Sequence, residues 1–265
     1  MTTSLELVVP VLNEEKDLPS SIEKLMAFLP QRLDDYDWRV VIADNGSTDA
    51  TPEVAKRLAG EHPRVGWTRL EERGRGRALR AAWLESDADI VSYMDVDLSA
   101  DLDAFPALVG AVRDEGYDIA IGSRLAEGAQ VIGRPPLREV ISRAYSFLFR
   151  AFFPELFFDP IKFRSMFLTG FRDAQCGFKA LSRRAARELV PLVRDPGWFF
   201  DTELLVLAER NGYRIKELPV RWTDDPDSRV RVLPTTYEDL KGLMRLRLGG
   251  LETPSRHRSG EMRKD

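Results

Sequence analysis

Residues 38–60 read WRVVIADNGSTDATPEVAKRLAG. A β-branched run (38–44) ends in a polar, glycine-containing turn, Asp44 to Asp49, and passes into a segment of helical spacing. Ser47-Thr48-Asp49 supplies capping groups before that segment, and Pro52 stands near its first turn. Strand, polar turn and helix in that order are the unit of a parallel sheet, since parallel neighbours are joined only by crossovers. The unit recurs on both sides. LELVVPV (5–11), VGWTRL (65–70), DIVSYMD (89–95) and YDIAIGS (117–123) read as further strands, with helical segments near 15–29, 50–60, 76–86 and 103–114. Beyond 172 the style resumes, with strands at 176–182 and 214–222, helices near 183–193 and 199–211, and a last helix from about 236. The expectation is an α/β fold, a mostly parallel central sheet covered by helices on both faces.

Composition narrows the function. The 265 residues carry 39 Lys+Arg against 43 Asp+Glu, a net charge of -4, which speaks against a globally basic nucleic-acid binder. A single cysteine, Cys176, excludes an internal disulfide and a Cys-based zinc site and suits a reducing compartment. Only His62 and His257 are present, so His-cluster metal sites are excluded and a Ser-His-Asp machine has little room. The N-terminal stretch lacks a basic n-region, and no window reaches the length of uncharged apolar sequence that a spanning helix needs. A cytoplasmic chain, peripheral at most to a membrane face, is expected.

Residues 124–172 break the alternation. Nine of the 14 phenylalanines fall between Tyr145 and Phe171, interleaved with Arg143, Arg150, Lys162 and Arg164 and broken by Pro154 and Pro160. That stretch reads either as a buried helical hairpin or as an interfacial element lying among lipid headgroups. Residues 241–265 hold seven Lys+Arg against three Asp+Glu, a basic end on an acidic chain. Residues 1–225 are expected to form one domain including that insertion, and 226–265 a C-terminal helix and basic tail.

Three polar clusters fall at the carboxyl ends of the expected parallel strands: PVLNEE (10–15), ADNGSTD (43–49) and MDVDLS (94–99). Ligands of open α/β sheets bind at that edge, where strand ends meet helix N-termini. One Asp after a strand is commonly a helix cap; three clusters together are harder to explain so. Asp95 and Asp97, two residues apart, can share one hard cation with a diphosphate, because Mg²⁺ takes one or two carboxylates and fills its other positions with ligand oxygens and water. In ERGRGRALR (72–80) the third glycine of a dinucleotide fingerprint is missing, so an arginine-rich turn that meets a phosphate fits better.

PVLNEE, DNGSTD, RGRGRALR, DVDLS, IGSR and DAQCGFKALSR occur here in the order and spacing of glycosyltransferase family 2, and over residues 4–225 the chain resembles most its dolichyl-phosphate and polyprenyl-phosphate glucosyl- and mannosyltransferases. The resemblance implies a GT-A fold, a nucleotide-sugar donor (UDP-glucose favoured, GDP-mannose next) and inverting transfer with Mg²⁺ or Mn²⁺. It implies that Pro10, Asn13, Glu14 and Asp44 frame base and ribose together with the turn Arg75 to Arg77. Asp95 and Asp97 become the D-x-D pair, with Asp97 the more direct metal ligand. Arg75 stands where relatives carry lysine, and residues 1–265 hold no counterpart of the C-terminal membrane helices of many relatives.

A prenyl phosphate has a second pKa near 6 and is largely dianionic at neutral pH, so it needs cations to hold it more than a strong base. Arg124, Arg134 and Arg138 are the candidate cations, and Asp173 or Asp201 the candidate to orient or deprotonate the acceptor. Other readings are a family member acting on a polysaccharide or small-molecule hydroxyl, or a non-catalytic nucleotide-sugar-binding protein.

Overall fold

The computed structural model describes residues 2–133, 171–224 and 232–248. Its strands are β1 (Thr3–Val11), β2 (Tyr36–Asn45), β3 (Val65–Leu70), β4 (Ile90–Met94), β5 (Ile119–Ser123), β6 (Gln130–Ile132), β7 (Phe178–Ser182), β8 (Ile215–Pro219) and β9 (Arg221–Thr223). Its helices are α1 (Leu18–Arg32), α2 (Thr51–Glu61), α3 (Arg75–Glu85), α4 (Phe105–Arg113), α5 (Arg183–Leu189), α6 (Phe200–Arg210) and α7 (Val232–Leu248). The central sheet runs β3-β2-β1-β4-β7-β5-β8, parallel except for β7. The expected α/β architecture is present.

Both faces are apolar because both are covered. Leu5, Leu7, Val9 and Val11 of β1 join a core with Leu18, Ile22, Leu25 and Leu29 of α1 and Phe105, Leu108 and Val109 of α4. Val8 and Tyr93 point the other way, into a second core with Leu79 and Trp83 of α3, Leu189 of α5, Phe200 and Leu204 of α6, and Leu243 and Leu246 of α7. Such two-sided burial explains why these strands read as continuous apolar runs. Proline at the first helical positions of α1, α2 and α4 sets φ where the backbone N–H has no intrahelical acceptor.

Three details place the site. Strand order reverses between β1 and β4, since β2 and β3 lie on one side of β1 and β4 on the other, and this crevice is where open α/β sheets bind ligands. The segment between β5 and β7 leaves and re-enters the sheet at the same edge, so β7 must run antiparallel; it brings Asp173 to Gly177 beside the end of β4. The strand expected at 214–222 is two strands, with Val220 turning the chain off the main sheet so that β9 pairs with β6. β9 also fastens the loop after β4: Thr223 N–H donates to Ser99 O (2.9 Å) and Asp101 N–H to Arg221 O (2.9 Å). Likewise the helix expected at 183–193 ends at Leu189, where Pro191 forces a short 3₁₀ turn.

Candidate active site

The loops after β1 and β2 are stitched together. Asn13 N–H donates to Ser47 Oγ (2.9 Å), Glu14 N–H to Thr51 Oγ1 (2.8 Å), Ala50 N–H to Glu15 Oε2 (2.9 Å) and Thr48 N–H to Asn13 Oδ1 (2.8 Å). Asn13 adopts a left-handed φ of 58°, which asparagine tolerates better than most residues. Beneath this lattice Asp44 is fully buried beside the buried Pro10. Its Oδ1 accepts from Ser47 N–H (3.0 Å), while Oδ2 has no hydrogen-bond donor among the described residues. Arg69 Nε lies 3.8 Å from Oδ2, which gives charge compensation at a length beyond a hydrogen bond. A buried carboxylate oxygen without a donor costs free energy unless something binds it. Gly46 (φ +84°) leaves this pocket its tight turn, since a Cβ there would stand 2.9 Å from Glu71 O.

Two strands away, Asp97 is exposed on its loop and accepts from Ser99 N–H (3.0 Å). Asp95 is 27% exposed, and its Oδ1 accepts from Arg75 Nη2 (3.0 Å). Gly177 crowds it from the other side; an added Cβ would fall 1.7 Å from Asp95 Oδ2. No group of three or more His, Cys, Asp and Glu converges to hold a metal among the described residues. Asp95 and Asp97 are a carboxylate pair, the donor type a hard divalent cation takes when it draws its remaining ligands from a bound phosphate and water.

The arginine-rich turn suggested that Arg75 contacts a phosphate, and the structure shows what that side chain meets within the protein. Arg75 is 9% exposed and opens α3 with its guanidinium turned into the protein. Nη1 donates to Asp201 Oδ2 (2.7 Å), Nη2 to Tyr93 Oη (3.0 Å) and Asp95 Oδ1 (3.0 Å), and the Tyr93 and Trp198 rings flank it at 4.9 and 4.7 Å. Asp201 completes a buried cluster: Tyr93 Oη donates to its Oδ1 (2.7 Å) and Lys179 Nζ lies 3.1 Å from it. Lys179, 0% exposed, also donates to Cys176 O (2.6 Å). Two cations face two carboxylates, so the cluster balances. Burial alone would raise the Asp201 carboxyl, but Lys179 and Arg75 outweigh it and hold the group below the ordinary carboxylate range. Burial and the neighbouring carboxylates keep Tyr93 protonated.

The other candidate base is also engaged. Arg124 clasps Asp173 through Nε to Oδ2 (2.7 Å) and Nη2 to Oδ1 (2.8 Å), adds its backbone N–H to Oδ2 (3.0 Å), and lies over Trp222 at 4.9 Å. Asp173 is 4% exposed; burial would raise it, but Arg124 holds it below its usual value. Cys176, beside it, is pushed up to about 12 by burial and is no nucleophile. Arg77 is apart from this centre, paired with Glu72 (2.6 Å). Arg134, Arg138 and the phenylalanine-rich stretch up to residue 170 lie outside the described residues.

The structure thus brings Arg75, Asp95 and Asp201 together, with Asp97 two residues on in the loop after β4, Arg124 and Asp173 next along the edge and Pro10, Asn13, Glu14 and Asp44 at its other end. Sequence reading passed over Tyr93, Lys179, Gly177 and Trp198. Lys179 had a signal, a lone cation inside the apolar strand FKALS, and Gly177 lies with it in DAQCGFKALSR; Tyr93 and Trp198 had none.

A family model described as glycosyl transferase family 2 matches residues 6–189. Glycosyltransferase AglD of Haloferax volcanii is 38% identical over 85% of the chain and 34% of its own length. The dolichyl-phosphate beta-glucosyltransferase of Drosophila melanogaster is 33% identical over 85% of the chain and 69% of its own. The chain thus spans about a third of the first relative's length and about two thirds of the second's. Among solved structures, glucosyl-3-phosphoglycerate synthase of Mycobacterium tuberculosis, crystallised with Mn²⁺, UDP and glucosyl-3-phosphoglycerate, superposes at a TM-score of 0.67 with 20% identity, covering 94% of this chain and 81% of that one. The fold is the GT-A type.

Proposed function

We propose that this chain, which belongs to glycosyl transferase family 2, transfers a hexose with inversion from a nucleotide sugar to a polyprenyl phosphate, UDP-glucose being the favoured donor and GDP-mannose the next. The observation that carries the donor half is the pairing of Asp44, whose buried Oδ2 has no donor among the described residues, with the Asp95–Asp97 pair. They stand on β2 and after β4 with β1 between, two strand spacings or about 10 Å apart, the reach of a nucleoside diphosphate. Asp44 would take a base or ribose donor, and the loop of Asn13 and Glu14 would wall the pocket. Asp97 and Asp95 would hold Mg²⁺ or Mn²⁺, which supplies charge neutralisation to the departing diphosphate. Arg75, fixed by Asp201 and backed by Lys179, keeps the Asp95 carboxylate aimed at the same place.

A phosphate acceptor is favoured because both expected bases are spoken for. Asp173 is locked to Arg124, and Asp201 lies beneath Arg75 and Lys179. A sugar hydroxyl must lose a proton as it attacks, whereas a phosphate dianion is already a nucleophile. Arg134 and Arg138 would then receive the acceptor phosphate; Arg124 would add only its Nη1, since Nε and Nη2 are held by Asp173. The homologues named dolichyl-phosphate beta-glucosyltransferase point to the same acceptor. No helix among the described residues is long and apolar enough to cross a membrane; the lipid would be met peripherally, through the phenylalanine-rich stretch and the basic end. The test is incubation with UDP-glucose, GDP-mannose and other labelled nucleotide sugars plus a polyprenyl phosphate. Lipid-extractable label from UDP-glucose is expected, and label appearing only on added soluble hydroxyl acceptors would refute the lipid reading.

A further inference from the structure

Six large apolar side chains are exposed among the described residues, and Trp198 is one of them, at 46%. It does not hang loosely. Gly197 N–H donates to Asp195 Oδ1 (2.8 Å), and Asp195 N–H to the buried Glu203 Oε2 (2.8 Å). Arg245 of α7 closes the bracket on Glu203 (2.8 Å) and approaches Asp195 (3.9 Å). On the other flank Arg77 N–H donates to Pro196 O (3.1 Å), and Gly74 lets that carbonyl approach so closely that a Cβ there would stand 2.5 Å from it. Three elements, α3, α6 and α7, thus hold a short turn whose product is one half-exposed indole. Solvent-facing loops are ordinarily the cheapest part of a fold to leave free. Here the fold fixes one and leaves an aromatic ring bare at its tip.

The place of the ring gives it a use. Trp198 lies on the guanidinium of Arg75, 4.7 Å from ring centroid to Cζ, and the same guanidinium holds Asp95. Arg75 Nε, buried in the same spot, has no hydrogen-bond acceptor among the described residues. A donor lying from Asp44 on β2 to the carboxylates after β4 would put its transferred hexose next, past the diphosphate, at the end where Arg75 and Trp198 sit. A pyranose has one face lined with C–H groups, which pack on the negative face of an aromatic ring, and hydroxyls at its edge that need polar partners. An indole lying on the guanidinium that holds the part-exposed Asp95 carboxylate offers both.

Resting on the nucleotide-sugar reading above, we infer that Trp198 is the platform for the transferred hexose and sets how strongly the sugar, as distinct from the nucleotide, contributes to donor binding. The bracket Asp195–Glu203–Arg245 is a positioning device for that platform.

Binding separates the two contributions. Equilibrium affinities for UDP and UDP-glucose, and for GDP and GDP-mannose, are to be measured with divalent cation for the wild type, Trp198→Phe and Trp198→Leu, with tryptophan emission recorded in the same titrations. In the wild type the sugar nucleotide should shift emission beyond what the bare nucleotide does, and Trp198→Phe should abolish that difference while keeping affinity within about threefold. Trp198→Leu should weaken the sugar nucleotide by roughly tenfold, the scale of one aromatic contact, leaving the bare nucleotide within twofold. Arg245→Gln should give a smaller loss of the same selective kind. Equal losses for nucleotide and sugar nucleotide would mean that Trp198 merely props Arg75, and would overturn the inference. So would an emission difference that survives in Trp198→Phe. A wild-type chain that binds none of the four ligands overturns the donor reading itself, and this inference with it.

Discussion

Arg124 meets Asp173 as a closed pair: two parallel contacts of 2.7 and 2.8 Å, a third from the backbone, and 4% exposure at the carboxylate. Arg75 is shared among Asp201, Tyr93 and Asp95, and the last of these is 27% exposed. Arg75 is buried and Arg124 partly buried, both lie over a tryptophan, and both stand at the same edge of the sheet. The difference is where the negative charge ends up. The Arg124 pair keeps it inside. The Arg75 cluster uses its second cation, Lys179, to balance Asp201 internally, and so can hold a further carboxylate half out in solvent. Buried ion pairs seldom add net stability over apolar packing; what the open cluster adds is a fixed position for the Asp95 carboxylate.

The largest effect should come from breaking the open cluster at its base. Asp201→Asn leaves Arg75 and Lys179 buried against Asp95 alone, and should cost about 3–5 kcal/mol, the range for stranding a buried charge, read as a lowered urea midpoint. Next, Asp97→Asn touches only the exposed end. It should cut turnover by about 10²–10³, the scale of one lost transition-state contact, while the unfolding midpoint stays put. Full activity of that variant, or of the wild type in EDTA, would remove the cation from the site.

Asp44→Ala tests the far end of the same edge. Losing a buried acceptor costs about 1–3 kcal/mol when its ligand donor is left without a partner, so the donor KM should rise about fivefold or more with little change in kcat. An unchanged KM would make Asp44 a structural cap for the Ser47 turn. Smallest in the neutral range is the acid response. Asp201 and Asp173 are both held below their unfolded values by their cations. Their contribution is therefore complete above the unfolded carboxylate pKa of about 3.9 and is lost as pH falls through the folded values. Asp173→Asn should lower stability at neutral pH by leaving Arg124 without its partner and flatten that acid limb in a denaturation series, without altering donor affinity; a loss of turnover beyond what the lost stability accounts for would instead return Asp173 to the role of base.

What could be read from the chain was whatever depends on local pattern. β-branched runs gave the strands, and Asp44, Asp95 and Asp97 were visible because a strand end followed by carboxylates is a local event. Arg73, Arg75 and Arg77 look alike in RGRGR, and only packing against Tyr93 and Trp198 turns the middle one inward. The antiparallel β7 was hidden, since strand order follows from where a long connection returns. Three-residue β6 and β9 carry too few side chains to show a period. Trp198 and Asp201 sit close in sequence to each other but more than a hundred residues from the arginine that unites them. Residues 145–170, whose two readings differ most, lie outside what the structure describes.

Gly177 has a consequence for how variation in this chain should be scored. It bears no charge, donates nothing to a ligand through a side chain, and lies in an unremarkable turn, yet a single methyl there would overlap the Asp95 carboxylate at 1.7 Å. The carboxylate would have to leave Arg75 or the methyl would have to carry the β7 strand away from β4. Ranking substitutions by lost charge or polarity would place an alanine here among the harmless ones. By the volume it occupies, it belongs beside the loss of the aspartate itself.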